Sequence, residues 1–273
     1  MTPRIGVWLF PVVSVHDLVD AAVAAEDAGI DELWIADEGV SRDPVVAFSA
    51  AAIQTKRLRF GIGITSPALR HPGAMASSVA TLDELSGGRA MLGFGVGGGL
   101  SLDPFGLTVD KPVALIRDAL RIARAVIEGA TVDGYTPPSH AAPPRKVPIY
   151  VGSKGEQINR LASREADGVF LSGFDLAKLD APVSWARSVR PIDVALFPSI
   201  QFNTLAAPNP SALQGDPAEV AQGLIQLIVR YRPETIGLCL IDGGPVSEMM
   251  AKAIETAGLV RTACVDQDVA GSR

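Results

Sequence analysis

The chain has 273 residues, 48% hydrophobic and 20% charged, with a net charge of −6 and two cysteines. This is too apolar for a disordered chain and too acidic for a general nucleic-acid binder, and two cysteines outside any CxxC make no disulfide framework. No 18-residue uncharged run and no basic, then apolar leader is present, so a cytoplasmic protein with no membrane span is expected.

Short apolar runs alternate with longer amphipathic stretches along the whole chain. A first strand is expected over 5–10 and a helix from 15 that stops at Gly29. A second strand follows over 33–36, and Asp43-Pro44 caps and opens a helix reaching 54. The third strand covers 58–65 and Pro72 opens the next helix. The fourth strand covers 90–95, and Pro104 and Pro112 block an immediate helix, so the next one runs over 111–128. Residues 136–148 hold five prolines and form a loop. Strands over 147–151, 169–171, 192–202 and 236–241 alternate with helices over 155–166, 175–188, 216–230 and 247–257, the third opened by the capping box Asp216 to Glu219. Eight strand-helix units in this length fit one α/β domain over 1–262, a (β/α)8 TIM barrel, better than a doubly wound sheet; 263–273 is expected to be a flexible tail. Active sites in such barrels lie on the loops after the strands.

Residues 87–99, GGRAMLGFGVGGG, contain seven glycines. Gly93, Gly95 and Gly98 satisfy G-x-G-x-x-G, but a dinucleotide fingerprint opens a helix directly and sits on the first βα unit. Two readings stay open: backbone N–H groups of Gly97, Gly98 and Gly99 forming a concavity for a phosphate, or a loop whose glycines only serve tight turns. Gly152-Ser153-Lys154-Gly155 and Gly243-Gly244 supply similar chemistry after the fifth and eighth strands.

The run Thr81 to Gly97 resembles the fourth-strand signature of the bacterial luciferase-like superfamily, in the branch that uses the deazaflavin coenzyme F420. Gly61 to Pro67, Lys111 to Asp118, Pro148 to Gly152 and Ala166 to Gly168 match in the same order. The resemblance implies a barrel with a shortened later half and an oxidoreductase that moves a hydride between F420 and a small organic substrate. An FMN-dependent monooxygenase and a non-catalytic flavin binder are the alternatives. It implies a non-prolyl cis peptide between Gly63 and Ile64 behind the flavin ring, with Trp8, Ile62 and Thr65 beside it. It further implies that Gly97 to Gly99 and Gly152 to Gly155 hold the cofactor's phosphate side, and that Asp37 faces the ring. Glu38 stands where histidine is frequent, and Val7-Trp8 where an acidic residue is frequent.

Candidates for a protonatable group are Asp37, Glu38 and His71, all on expected rim loops. His16 and His140 read as surface residues, no histidine pair has metal-ligand spacing, and Cys239 reads as core. Gln201, Asn203 and the 172–175 turn lie in later loops with no decodable pattern. The apolar helix over 45–53 suggests a homodimer or simple burial against the barrel.

Overall fold

The computed structural model describes residues 2–136, 138, 145–202 and 209–270. The strands are β1 (Arg4–Leu9), β2 (Glu32–Ile35), β3 (Arg59–Thr65), β4 (Ala90–Gly95), β5 (Ile149–Gly152), β6 (Gly168–Ser172), β7 (Asp193–Phe197), β8 (Ser199–Gln201), β9 (Leu213–Gln214) and β10 (Thr235–Leu240). Between them run α1 (Val15–Asp27), α2 (Pro44–Gln54), α3 (Pro72–Ser86), α4 (Gly99–Leu102), α5 (Pro112–Glu128), α6 (Glu156–Glu165), α7 (Asp180–Ala186) and α8 (Pro217–Tyr231), with α9 (Val246–Ala270) last. All strand pairings are parallel, in order from β1 to β7, and β10 joins β7 on one side and β1 on the other. The eight-stranded barrel is thereby closed, as expected from strict strand-helix alternation. Among the described residues no helix is long and apolar enough to cross a membrane.

The start signals act as read. Asp43 accepts the N–H groups of Val45 and Val46, and Asp216 and Glu219 form a reciprocal capping box. Three expectations are corrected. The seventh strand breaks at Pro198, which has no N–H to donate; its carbonyl accepts from Cys239, and β8 continues the barrel along the upper half of β10. A helical turn, α4, opens directly after Gly98, because Pro104 falls in the first turn of the next 3-10 segment, where a missing N–H costs nothing. The last helix runs to Ala270 rather than 257.

Outward strand residues pack under the helices, and inward ones fill the barrel: Trp34, Met91, Tyr150, Phe170, Phe197 and Cys239. Trp34 sets the spacing here. A Cβ on Gly61 would lie 2.1 Å from its indole and one on Gly63 2.7 Å, so glycine alone fits on the neighbouring strand. Below it Glu32, fully buried, accepts from Arg4 and Arg59 at 2.7 Å and from the Trp34 indole N–H at 2.9 Å. This ionic plug and the aromatic stack seal the N-terminal end, leaving the C-terminal mouth as the open one.

Candidate active site

At that mouth a cleft of about 530 Å³ opens. It is lined by the ends of β1, β2, β3 and β6 and by the loops after β4 and β5. Its volume lies within the range of small-molecule sites, roughly 300–1,000 Å³. Of the residues expected at a site, Trp8, Asp37, Glu38, Gly63, Ile64, Thr65, Gly97, Gly98, Gly99, Gly152, Ser153 and Lys154 all line it.

The floor is built around the peptide between Gly63 and Ile64, which is cis. The Trp8 indole N–H donates to the Gly63 carbonyl, and β3 slips register against β4 between Ile62 and Thr65. The Ile64 side chain turns into a recess made by three glycines. A Cβ on Gly95 would lie 1.9 Å from Ile64 Cδ1, one on Gly152 2.8 Å from the same atom, and one on Gly93 2.8 Å from Ile64 Cγ2. Part of the glycine run is therefore there for Ile64. The rest differs: Gly97 has φ of +95°, while Gly98 is extended and a Cβ on it would meet nothing within 4 Å. Ser66 Oγ donates to the Val96 carbonyl at 2.7 Å and pins this loop to β3.

Two adjacent carboxylates stand at the end of β2 with opposite surroundings. Asp37 is buried, and both its oxygens are occupied. Oδ2 accepts from Thr65 Oγ1 at 2.7 Å and Arg70 Nε at 2.9 Å; Oδ1 accepts from Gly39 N–H at 3.3 Å and Arg70 Nη2 at 3.2 Å. Arg70 also reaches Asp43 at 2.7 Å, whose carboxyl is held below its ordinary range: burial raises it, but the Arg70 hydrogen bond and the Val45 and Val46 N–H groups outweigh that. Glu38 is half-buried in the cleft wall, and no hydrogen-bond partner engages its side chain among the described residues. Burial, and then the neighbouring charge of Asp37, push its carboxyl above the usual range.

Across the cleft Lys154 is exposed, and its Nζ lies 3.5 Å from where a Cβ on Gly173 would stand. The loop is held from beneath by the buried Asn159, whose Nδ2 donates to the Ser153 and Gly155 carbonyls at 3.0 and 2.9 Å.

Some expected residues fall elsewhere. His71 is exposed at the N-cap of α3, its Nδ1 accepting from Gly73 N–H at 3.2 Å, because the extended residue before Pro72 folds its ring onto the first helical turn. It borders a separate 440 Å³ cavity against Ile122 and Val126 of α5 and takes no part in the cleft. Ile62 is fully buried among the residues under the helices, on the opposite strand face from the cleft. Gly155 is the N-cap of α6, with its N–H donated to Ser153 Oγ. Gly243 and Gly244 follow β10 and do not line the cleft. The Gln201 side-chain Oε1 accepts from Asn209 N–H. Asn203 and His140 lie outside the described residues. Arg70, Asn159, Phe170 and Leu100 were not anticipated. Nothing in their spacing separates them from surface and core residues.

Comparisons with known proteins bear on the family and the fold. The family model for the luciferase-like monooxygenase matches residues 2–190. The 5,10-methylenetetrahydromethanopterin reductase of Archaeoglobus fulgidus is 28% identical over 244 residues, 85% of this chain and 72% of that protein. An F420-dependent glucose-6-phosphate dehydrogenase of Kineococcus radiotolerans is 32% identical over 58% of this chain and 54% of its own length. In fold, the chain is similar to the coenzyme F420-dependent tetrahydromethanopterin reductase of Methanopyrus kandleri, with a TM-score of 0.78 at 21% identity, covering 94% of this chain and 98% of that one. This chain is an oxidoreductase belonging to the luciferase-like monooxygenase family.

Proposed function

We propose that the chain binds coenzyme F420 in this cleft and catalyses hydride transfer between it and a small organic substrate. The observation that carries the reading is the convergence on one rim of the Gly63–Ile64 floor, the open backbone at Gly98 and the cation Lys154. An apolar floor of Trp8, Ile64 and Phe170 suits a ring system, and Lys154 with the backbone of Gly97 to Gly99 suits an anionic side chain. The names of the reductase and dehydrogenase relatives support F420 over FMN. When bound, the deazaflavin supplies the hydride chemistry.

The protein's own part is orientation and one proton. Asp37, closed off by Arg70, Thr65 and Gly39, holds the ends of β2 and β3 together beneath the site. Glu38 exchanges a proton with the substrate as the hydride moves, since it is the unpaired carboxyl in the wall and its affinity for a proton is raised. Packing fixes Trp8 against Phe10 and Phe170, at ring distances of 4.5 and 6.5 Å, so the floor is preorganised.

The outer face of α2 leaves Val46 and Ile53 exposed seven residues apart, which supports a homodimer through this helix. Sedimentation of Val46→Asp then gives a monomer where the parent gives a dimer. For the cofactor, the deciding experiment is a fluorescence titration with F420 and, separately, FMN. Micromolar or tighter F420 binding with weak FMN binding is expected. The reverse preference makes the chain a flavin monooxygenase instead.

A further inference from the structure

Four large apolar side chains stand between 49% and 70% exposed in the connections that follow strands at the C-terminal mouth: Val12 after β1, Val40 after β2, and Leu100 and Phe105 in the short helical turns after β4. They are connected. Leu100 lines the cleft itself. The Phe105 ring covers the turn at Gly39, where a Cβ would lie 2.9 Å from its Cε2, placing it beside Glu38 and Val40. Arg42 Nη1 donates to the Val12 carbonyl at 2.9 Å and ties the first loop to the second. Leaving such side chains in water is unfavourable, and exposed apolar side chains at the edge of a cleft favour an apolar ligand there.

The charges around the cleft point the same way. Among the described residues its lining holds one cation, Lys154, on the wall formed after β5 and against Gly173. The wall carrying the apolar collar holds two carboxylates, Asp37 and Glu38; of the guanidinium groups there, Arg70 is spent on Asp37 and Asp43, and Arg42 donates to the Val12 carbonyl. An anionic substrate beside Glu38 would meet the neighbouring Asp37 carboxylate, with the guanidinium groups of this wall already engaged. A protein partner seated on the collar would instead cover Glu38 and the cleft mouth.

We infer that the substrate is an uncharged molecule with an apolar body of several carbons, not a sugar phosphate or a carboxylic acid. Val40, Leu100 and Phe105 take the apolar body, while its polar reacting group meets Glu38. The inference rests on the proposed placing of Glu38 beside the reacting group.

The test is a ligand-observed NMR titration of straight-chain methyl ketones, 2-butanone to 2-heptanone, and of glucose 6-phosphate. Each is run on protein with and without F420, whose own binding is followed by fluorescence. The ketone Kd is expected to fall about two- to four-fold per added methylene. The Val40→Ser/Phe105→Ser double variant should flatten that slope while F420 affinity stays within about two-fold of the parent's, as an apolar contact remote from the anion site predicts. Val40→Ser alone, at an exposed position, gives half the effect should the double variant fail to fold. A flat series in the parent, or glucose 6-phosphate binding more tightly than 2-heptanone, overturns the inference. Lost F420 binding with the ketone slope intact overturns the cofactor reading and leaves the collar standing; bound F420 with a flat slope does the opposite.

Discussion

Gly95 and Gly98 lie three residues apart, and the structure gives them different reasons to be glycine, so substitution at each has a different consequence. At Gly95 a methyl group would sit 1.9 Å from Ile64 Cδ1 and 3.1 Å from the Gly152 carbonyl oxygen. Ile64 must leave its recess, and overpacking of that kind costs about 1–3 kcal/mol. At Gly98 the backbone is extended, with φ of −134° and ψ of −175°, and the added side chain meets open space. Gly98→Val should therefore leave stability unchanged or raise it, by roughly 0.4–1 kcal/mol, through the restricted unfolded chain. Gly98 lines the cleft, so an added side chain there should weaken F420 by roughly ten-fold or more, about 1.4 kcal/mol. Denaturant midpoints and F420 fluorescence titrations on the two variants and the parent measure both effects. The expected pattern is crossed: Gly95→Ala loses stability, and Gly98→Val loses affinity alone. A Gly98→Val protein that binds F420 as the parent does refutes the placing of the anionic side chain at this loop and moves it toward Gly243-Gly244. A Gly95→Ala protein of parental stability refutes the account of the recess.

Glu38→Gln should cut turnover by about 10²–10⁴-fold, the usual worth of a positioned acid, with F420 affinity retained; steady-state rates check it. In the direction of substrate reduction the protonated form acts, so the rate holds at low pH and falls as pH rises through a midpoint above the ordinary glutamate value of about 4.3. Because the folded chain binds that proton more tightly than the unfolded one, Glu38 contributes less stability as pH rises through the same window, and Glu38→Gln should be no less stable than the parent at pH 8. Arg70→Met leaves the buried Asp37 with only Thr65 and Gly39. Its cost should approach the lower end of the about 3–5 kcal/mol seen for broken buried pairs, since Arg70 is 30% exposed; thermal unfolding measures it. The unmasked charge on Asp37 should also move the Glu38 midpoint upward in the pH profile. His71→Ala should lose about 0.5–1 kcal/mol of stability with the cap of α3 and leave turnover unchanged, and a large loss of turnover would restore His71 to the chemistry.

The barrel was legible because its signals are local. Alternating apolar runs, Asp43-Pro44, Asp216 with Glu219 and the glycines at helix ends each act within four residues, and each appears in the structure where the pattern put it. The break at Pro198 was equally local but overridden by the apolar residues on either side, Val194 to Phe197 before it and Ile200 and Phe202 after it. Positions on the rim were legible as loops after strands, which brought Glu38, Lys154 and Gly97 to Gly99 into one cleft. Direction was not legible: periodicity could not say that Ile62 faces the helices while Trp8 faces the cleft, or that His71 turns onto its own helix. Arg70 was missed because its meaning depends on Asp37 and Asp43, some thirty residues earlier in the chain.

Asp37 and Glu38 show how that tertiary context divides one chemistry between neighbours. In the unfolded chain the two carboxyls are adjacent and nearly equivalent. The end of β2 turns Asp37 inward, where Arg70, Thr65 and Gly39 occupy both oxygens. Glu38, one residue on, is left in the wall with burial and a fixed negative neighbour and with no donor of its own. Burial raises the proton affinity of Glu38 most, and the charge that Arg70 stabilises on Asp37 adds to it, so the clamp and the acid form one device. It follows that Asp37→Asn, nearly isosteric, should lower the Glu38 midpoint in the pH profile. A profile unmoved by that substitution would mean that burial alone sets the acid.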